Sequence, residues 1–156
     1  MPVIEHKLLI KAPIEVCFDL ARNVEVHTQI NIVTKARAVG SITEGLLEEG
    51  DSVTWEAVHF GIKRRLTSKV IFMDKPHSFV NVRIKGAFKS FIQIHQFMKN
   101  GKDTIMVNHL QYKSRFGPIG VLIDKLFLEK YMERFIARRA IEFKKIAEKK
   151  TNQTFD

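Results

Sequence analysis

From Ile32 to Tyr112 apolar and polar positions alternate with a period of two, and turn-forming residues interrupt them at short intervals. This is the pattern of an antiparallel meander whose strands each turn one face inward. The expected strands are Ile32–Ser41, Asp51–Phe60, Lys63–Met73, Ser78–Ile84, Phe88–Lys99 and Asp103–Tyr112. Thr43–Gly50, Gly61-Ile62, Asp74–His77, Lys85–Ala87 and Asn100-Gly101 connect them. Asn-Gly between two alternating runs is the strongest short-range hairpin signal. Upstream, Val3–Lys11 reads as one more strand, stopped by Pro13. Ala12-Pro13-Ile14 opens a helix, because Pro suits the first helical turn, and Val16, Cys17, Leu20 and Ala21 share one of its faces. A second short helical piece covers Val24–Ile30.

After Gly117-Pro118 the apolar spacing becomes helical. Leu122, Leu126, Phe127, Leu128, Tyr131, Met132, Phe135, Ile136 and Phe143 recur on one side, while Lys125, Glu129, Lys130, Glu133, Arg134, Arg138, Lys144 and Lys145 mostly fill the others. A helix to about Lys149 would be on the order of 50 Å long. The expected class is α+β: a curved seven-stranded antiparallel sheet, two short helices after the first strand, and a long C-terminal helix over the inner face. No linker or repeat interrupts it, so residues 1–150 are expected to form one domain and 151–156 a polar tail.

Tight turns make the register and the inner face predictable. A two-residue turn at Asn100-Gly101 would pair Lys99 with Lys102, Phe97 with Thr104, His95 with Met106, Gln93 with Asn108 and Phe91 with Leu110. With Tyr112 these residues share the face richer in bulky aromatics, which is taken as the inner one. A turn at Gly61-Ile62 would pair Phe60 with Lys63, His59 with Arg64, Ala57 with Leu66 and Trp55 with Ser68. Val53, Trp55, Ala57, His59, Leu66, Ser68, Val70 and Phe72 then face inward. Thr54, Glu56, Arg65, Thr67 and Lys69 face solvent.

Composition narrows the function. Of 156 residues, twelve are Phe, against two Tyr and one Trp, so a large aromatic volume needs an interior. The single Cys17 excludes an internal disulfide and fits a reducing compartment. No signal peptide or membrane-length apolar run is visible, and the expectation is cytoplasmic. The net charge is +9. Between Gly117 and Lys150 stand nine Lys or Arg against five Asp or Glu, either a solvated helix face or a docking surface for something acidic. Weak peripheral contact with anionic surfaces fits this excess. Nucleic acid does not, because exposed aromatics are not interleaved with the basic residues.

The segments KAPIEVCFDLARNVEVH, GLLEEGDSVTWEAVHFGIKRRLTSKV, DKPHSFVNVRIKGAFKSFIQIHQF, GKDTIMVNHLQY and FGPIGVLIDKLFLEKYMERFIARR resemble the START-like (SRPBCC) superfamily, nearest its polyketide cyclase/dehydrase and ligand-binding branch. The resemblance spans residue 3 to about 145. It implies the helix-grip fold of the birch-pollen allergen and the binding of sterols, lipids, polyketides or other apolar molecules between sheet and helix. In that branch a His-x-His recurs on one strand with an acidic residue on the next. Here the corresponding positions are Gln93, His95 and Asn108, which keeps hydrogen bonding but removes an imidazole and a carboxylate.

Candidate chemistry is sparse. Phosphate-loop, nucleophile-elbow, zincin and Cys-x-x-Cys spacings are missing, and no cofactor or metal is expected. Cys17 reads as a small buried thiol. His59 and His95 are either hydrogen-bonded core histidines or contacts to a polar ligand group. Gln93 and Asn108 either bond to each other or orient a ligand oxygen. Arg83 either meets solvent or reaches a ligand carboxylate or phosphate. Trp55, Phe72, Phe91, Phe97, Met106, Tyr112, Phe127, Tyr131 and Phe135 would form cavity walls.

The first functional reading is a binder or carrier of a hydrophobic small molecule such as a lipid, isoprenoid or aromatic polyketide, working as a monomer or weak dimer. The second is a cyclase or dehydrase in which His95 or Tyr112 moves protons. The third is an interaction protein using its basic last third.

Overall fold

The computed structural model describes residues 3–31, 34–59, 61–86, 88–113 and 127–155. Strand β1 (Val3–Ile10) leads into helices α1 (Ile14–Ala21) and α2 (Val24–Ile30). Strands β2 (Arg37–Val39), β3 (Ser52–His59), β4 (Ile62–Asp74), β5 (Ser78–Gly86), β6 (Ser90–Asn100) and β7 (Asp103–Lys113) follow, and then helix α3 (Glu129–Phe155). The strands form one antiparallel sheet in the order β1-β7-β6-β5-β4-β3-β2, so the meander is closed on one side by the first strand. This is the expected α+β architecture. The expected helix before residue 127 lies outside the described residues, and α3 runs on to Phe155 rather than stopping near Lys149.

Local chemistry accounts for the elements. Pro13 is the N-cap of α1, and the Asn23 side chain caps α2 by accepting from the Val26 amide at 3.1 Å. Strand β2 is shorter than expected because Lys35 takes φ 52, a left-handed backbone that no strand continues through. On α3, Met132, Ile136, Ala140, Phe143 and Ala147 are buried at spacings of three and four, a single apolar stripe.

Both tight hairpins differ from expectation by two residues. Lys99 pairs with Thr104, Phe97 with Met106, His95 with Asn108, Gln93 with Leu110 and Phe91 with Tyr112. The turn is Gly101-Lys102, with Gly101 alone at positive φ (64°), so glycine leads the turn instead of following Asn100. Likewise His59 pairs with Ile62, Ala57 with Arg64, Trp55 with Leu66 and Val53 with Ser68, while Phe60 lies outside the described residues. A slip of two leaves every side chain on its face, since the strand period is two. The inner faces are therefore as expected, although the partners across each ladder are not.

Phe72 is a correction. Between Val70 and Phe72 strand β4 carries one extra residue against β5, and this bulge reverses the alternation. Ile71 and Phe72 both point outward, Phe72 being 48% exposed, and Met73 returns to the core. Glu56 differs too. It lies on the outer face yet is buried, because Arg37, Lys63 and Arg65 close over it at 2.8, 3.7 and 2.9 Å. Hydrogen bonds from Arg37 and Arg65 hold its pKa down at about 2.

Candidate functional site

Two packed clusters fill the interior unevenly. One joins α1, α2 and the C-terminal half of α3 to β1 and the far ends of the central strands, with Phe18, Phe79 and Phe97 in mutual ring contact. The other sets Met132 and Ile136 against Ile4, Leu110 and Tyr112. Over β3 and β4 the sheet and the helix stand apart except where His59 meets Tyr131 and Phe135, and a cavity of about 500 Å³ remains. Its floor is Val53, Trp55, Ala57, His59, Leu66, Ser68 and Val70, and its other walls include Phe88, Phe91, Leu128, Tyr131, Met132 and Phe135. A second space of about 30 Å³, room for a water-sized group, lies deeper among Leu20, Val26, His95, Met106, Asn108, Ile136 and Phe143. His27, Gln93 and Arg139 border both spaces and so form the partition between them.

The expected residues divide among these places. Trp55, His59, Phe91, Gln93, Tyr131 and Phe135 line the large cavity, and Gln93, His95, Met106 and Asn108 line the small one. Phe97 and Tyr112 face inward, but they are packed in the two solid clusters and border neither space. Phe127 is 68% exposed, and with Phe72 it is not a wall. Arg83 turns back on its own strand, its guanidinium donating to the Gly86 carbonyl at 3.2 and 3.3 Å. Gln93 and Asn108 are not opposite each other. Instead His95 pairs with Asn108, Nδ1 lying 3.0 Å from Oδ1, and the His95 ring stacks on Phe79 at 4.3 Å.

The polar groups that sequence reasoning missed are His27, on α2, and Arg139, on α3. The Nε2–H of His27 donates to the Ala21 carbonyl at 2.8 Å, leaving Nδ1 to accept from Nη2 of Arg139 at 3.2 Å. The guanidinium of Arg139 also lies over the Phe135 ring, 5.2 Å from its centroid. A signal for Arg139 existed. It stands three residues after Ile136 and four before Phe143, so it falls on the apolar stripe, where an arginine is out of place. His27 gave none, being one polar residue in a short helix.

Electrostatics follow from depth. Burial holds His27 at a pKa of about 4, and the positive Arg139 adds to the effect. Burial lowers His95 to about 3, with His27 and Arg139 acting in the same direction. Burial lowers Arg139 to about 10, which leaves it cationic at neutral pH. His59 shifts down as well through burial, and its Nδ1 is hydrogen-bonded to the Tyr131 hydroxyl at the other end of the cavity. Burial pushes the Cys17 thiol up to about 11, an inert side chain.

Solved structures of similar fold cover nearly the whole chain. Protein TTHA0849 from Thermus thermophilus matches at TM-score 0.77 and 21% identity, over 92% of this chain and 95% of that one. A START superfamily protein from Mycobacterium smegmatis matches at 0.69 and 14%, over 97% and 98%. This chain has the START-like helix-grip fold. The ginseng major latex-like protein 151 from Panax ginseng shares it at 0.65 and 14%, over 94% and 97%. No family model and no curated protein matches the sequence. Among the described residues, no helix of this chain is long and apolar enough to cross a membrane.

Proposed function

We propose that this protein binds an apolar small molecule, of the lipid, isoprenoid or aromatic polyketide kind, in the cavity between β3–β4 and α3. The observation that carries the reading is the cavity itself. At about 500 Å³, walled mainly by aromatic and aliphatic side chains, it falls in the range of small-molecule sites. A folded chain gains by packing its interior, so an unfilled apolar space of this size calls for a ligand. Burial of ligand surface at about 25 cal/mol per Å² would supply most of the affinity.

The cyclase or dehydrase alternative has less support. Tyr112 sits in a solid cluster, and His95 is too weak a base at neutral pH to accept a proton readily. The test is titration with the neutral dye Nile red, followed by its fluorescence and by Trp55 emission. One dye per chain is expected for the wild type, and Ala57→Trp, which fills the cavity floor, should abolish binding. Unchanged dye binding in Ala57→Trp, or none in the wild type, would overturn the proposal. Native mass spectrometry of protein purified from its own host would then identify what co-purifies.

A further inference from the structure

We infer that the partition between the two spaces is a carboxylate site, so that the ligand is an amphiphile whose acid end meets Arg139 while its apolar body fills the large cavity. This rests on the binding reading above and specifies its chemistry.

The molecule contains its own control for what a structural arginine looks like. Arg22 is buried, and two carboxylates neutralise it, Asp19 at 2.9 Å and Glu48 at 2.7 Å. Arg139 lies between helix and sheet, bordering both spaces. Yet among the described residues its polar contact is a neutral imidazole, and its buried Nε has no partner. Arg139 is half-buried with its Nε withdrawn from water, and a cation held so beside a cavity without an anion is poised to receive one there.

Two further features favour a carboxylate, and a third marks the same end as polar. His27 spends its only N–H on Ala21 and presents a lone pair to Arg139, which fixes one edge of the guanidinium and leaves its other donors available. Planar donors of this kind match a planar acid group. Next, the inner space has room for little more than a water-sized group, enough for an acid's oxygen but not for a bulky head. Finally, His95 is 5% exposed and borders that inner space, and its Nε2 has no partner. With Nδ1–H donated to Asn108, Nε2 is an acceptor, so it takes an O–H from a water or hydroxyl and not from the ionised acid, whose oxygens belong to Arg139. Unpartnered polar atoms thus gather near the partition of a mainly apolar chamber, Asn81 Oδ1 opposite Gln93 among them.

The experiment compares decanoate with 1-decanol by isothermal titration calorimetry at pH 8, on the full chain. The two probes share one apolar body and differ at the head. The wild type should bind decanoate at least about tenfold more tightly, the scale of a charge-assisted hydrogen bond. Arg139→Met should bring the two affinities together while keeping decanol binding. Arg138→Met, one residue away on the exposed side of α3, should leave the preference intact. Equal wild-type affinities for the two probes would overturn the carboxylate site and leave the apolar-binding reading standing. So would loss of the preference in Arg138→Met, which would trace it to the general positive surface. If neither probe binds, both readings fall. The wild-type comparison decides the matter even if Arg139→Met does not fold.

Discussion

His95 is buried and His27 half-buried, both as neutral rings, and this ties the stability of the fold to pH. Their folded pKa values, about 4 and about 3, lie below the ordinary 6.5, so the unfolded chain takes up protons before the folded one does. Their contribution is complete above pH 6.5 and is lost as the pH falls from there toward 4 and 3. Each ring adds a slope of up to about 1.4 kcal/mol per pH unit in that window. Urea midpoints measured from about pH 7 to about pH 4.5 should fall steadily, and His95→Leu should flatten the fall by one histidine's share. Glycine offers a second contrast. At Gly86, φ is 105° and an added Cβ would lie 2.2 Å from the Arg65 carbonyl oxygen, whereas Gly101 at φ 64° has open space around it. Gly101→Ala should therefore cost only the backbone term, about 1 kcal/mol, and Gly86→Ala clearly more, as thermal melts would show.

Elements are held by stripes rather than by single contacts. Helix α3, about 40 Å long, docks through Met132, Ile136, Ala140, Phe143 and Ala147, and its C-terminal half lies against α1 and α2. Phe143→Ala should destabilise the protein by about 3–5 kcal/mol in urea unfolding, because the buried ring leaves a hole. Ile141→Ala, at a half-exposed position, should fall within about 0.5 kcal/mol. In the sheet, a hairpin register that differs by two residues from the one the turn sequence suggests leaves the floor of the cavity unchanged. The bulge at Ile71 removes Phe72 from it altogether. Parity along a strand therefore governs which side chains reach the interior more than the identity of each partner does.

For the whole molecule, the binding proposal sets the expected response to a ligand. A compound that occupies the cavity binds the folded chain alone, so at a concentration about a hundredfold above its Kd it should add about 2.7 kcal/mol of stability. A thermal-shift series with apolar compounds checks this, and Ala57→Trp should erase the response. Sequence pattern was enough for the architecture, because period-two and helical spacings report which face of each element is apolar, and the fold is the arrangement that buries those faces together. It was also enough for the inner positions of Trp55, His59, Gln93 and His95, since a face is a local property of a strand. Four outcomes needed the tertiary structure. These were the hollow over β3–β4, the outward turn of Phe72, the solid packing around Phe97 and Tyr112, and the meeting of Arg139 with His27 across 112 positions of chain. A cavity is the gap between elements, and a bulge or a long-range polar contact depends on how neighbouring elements dock. None of these is a property of any one segment.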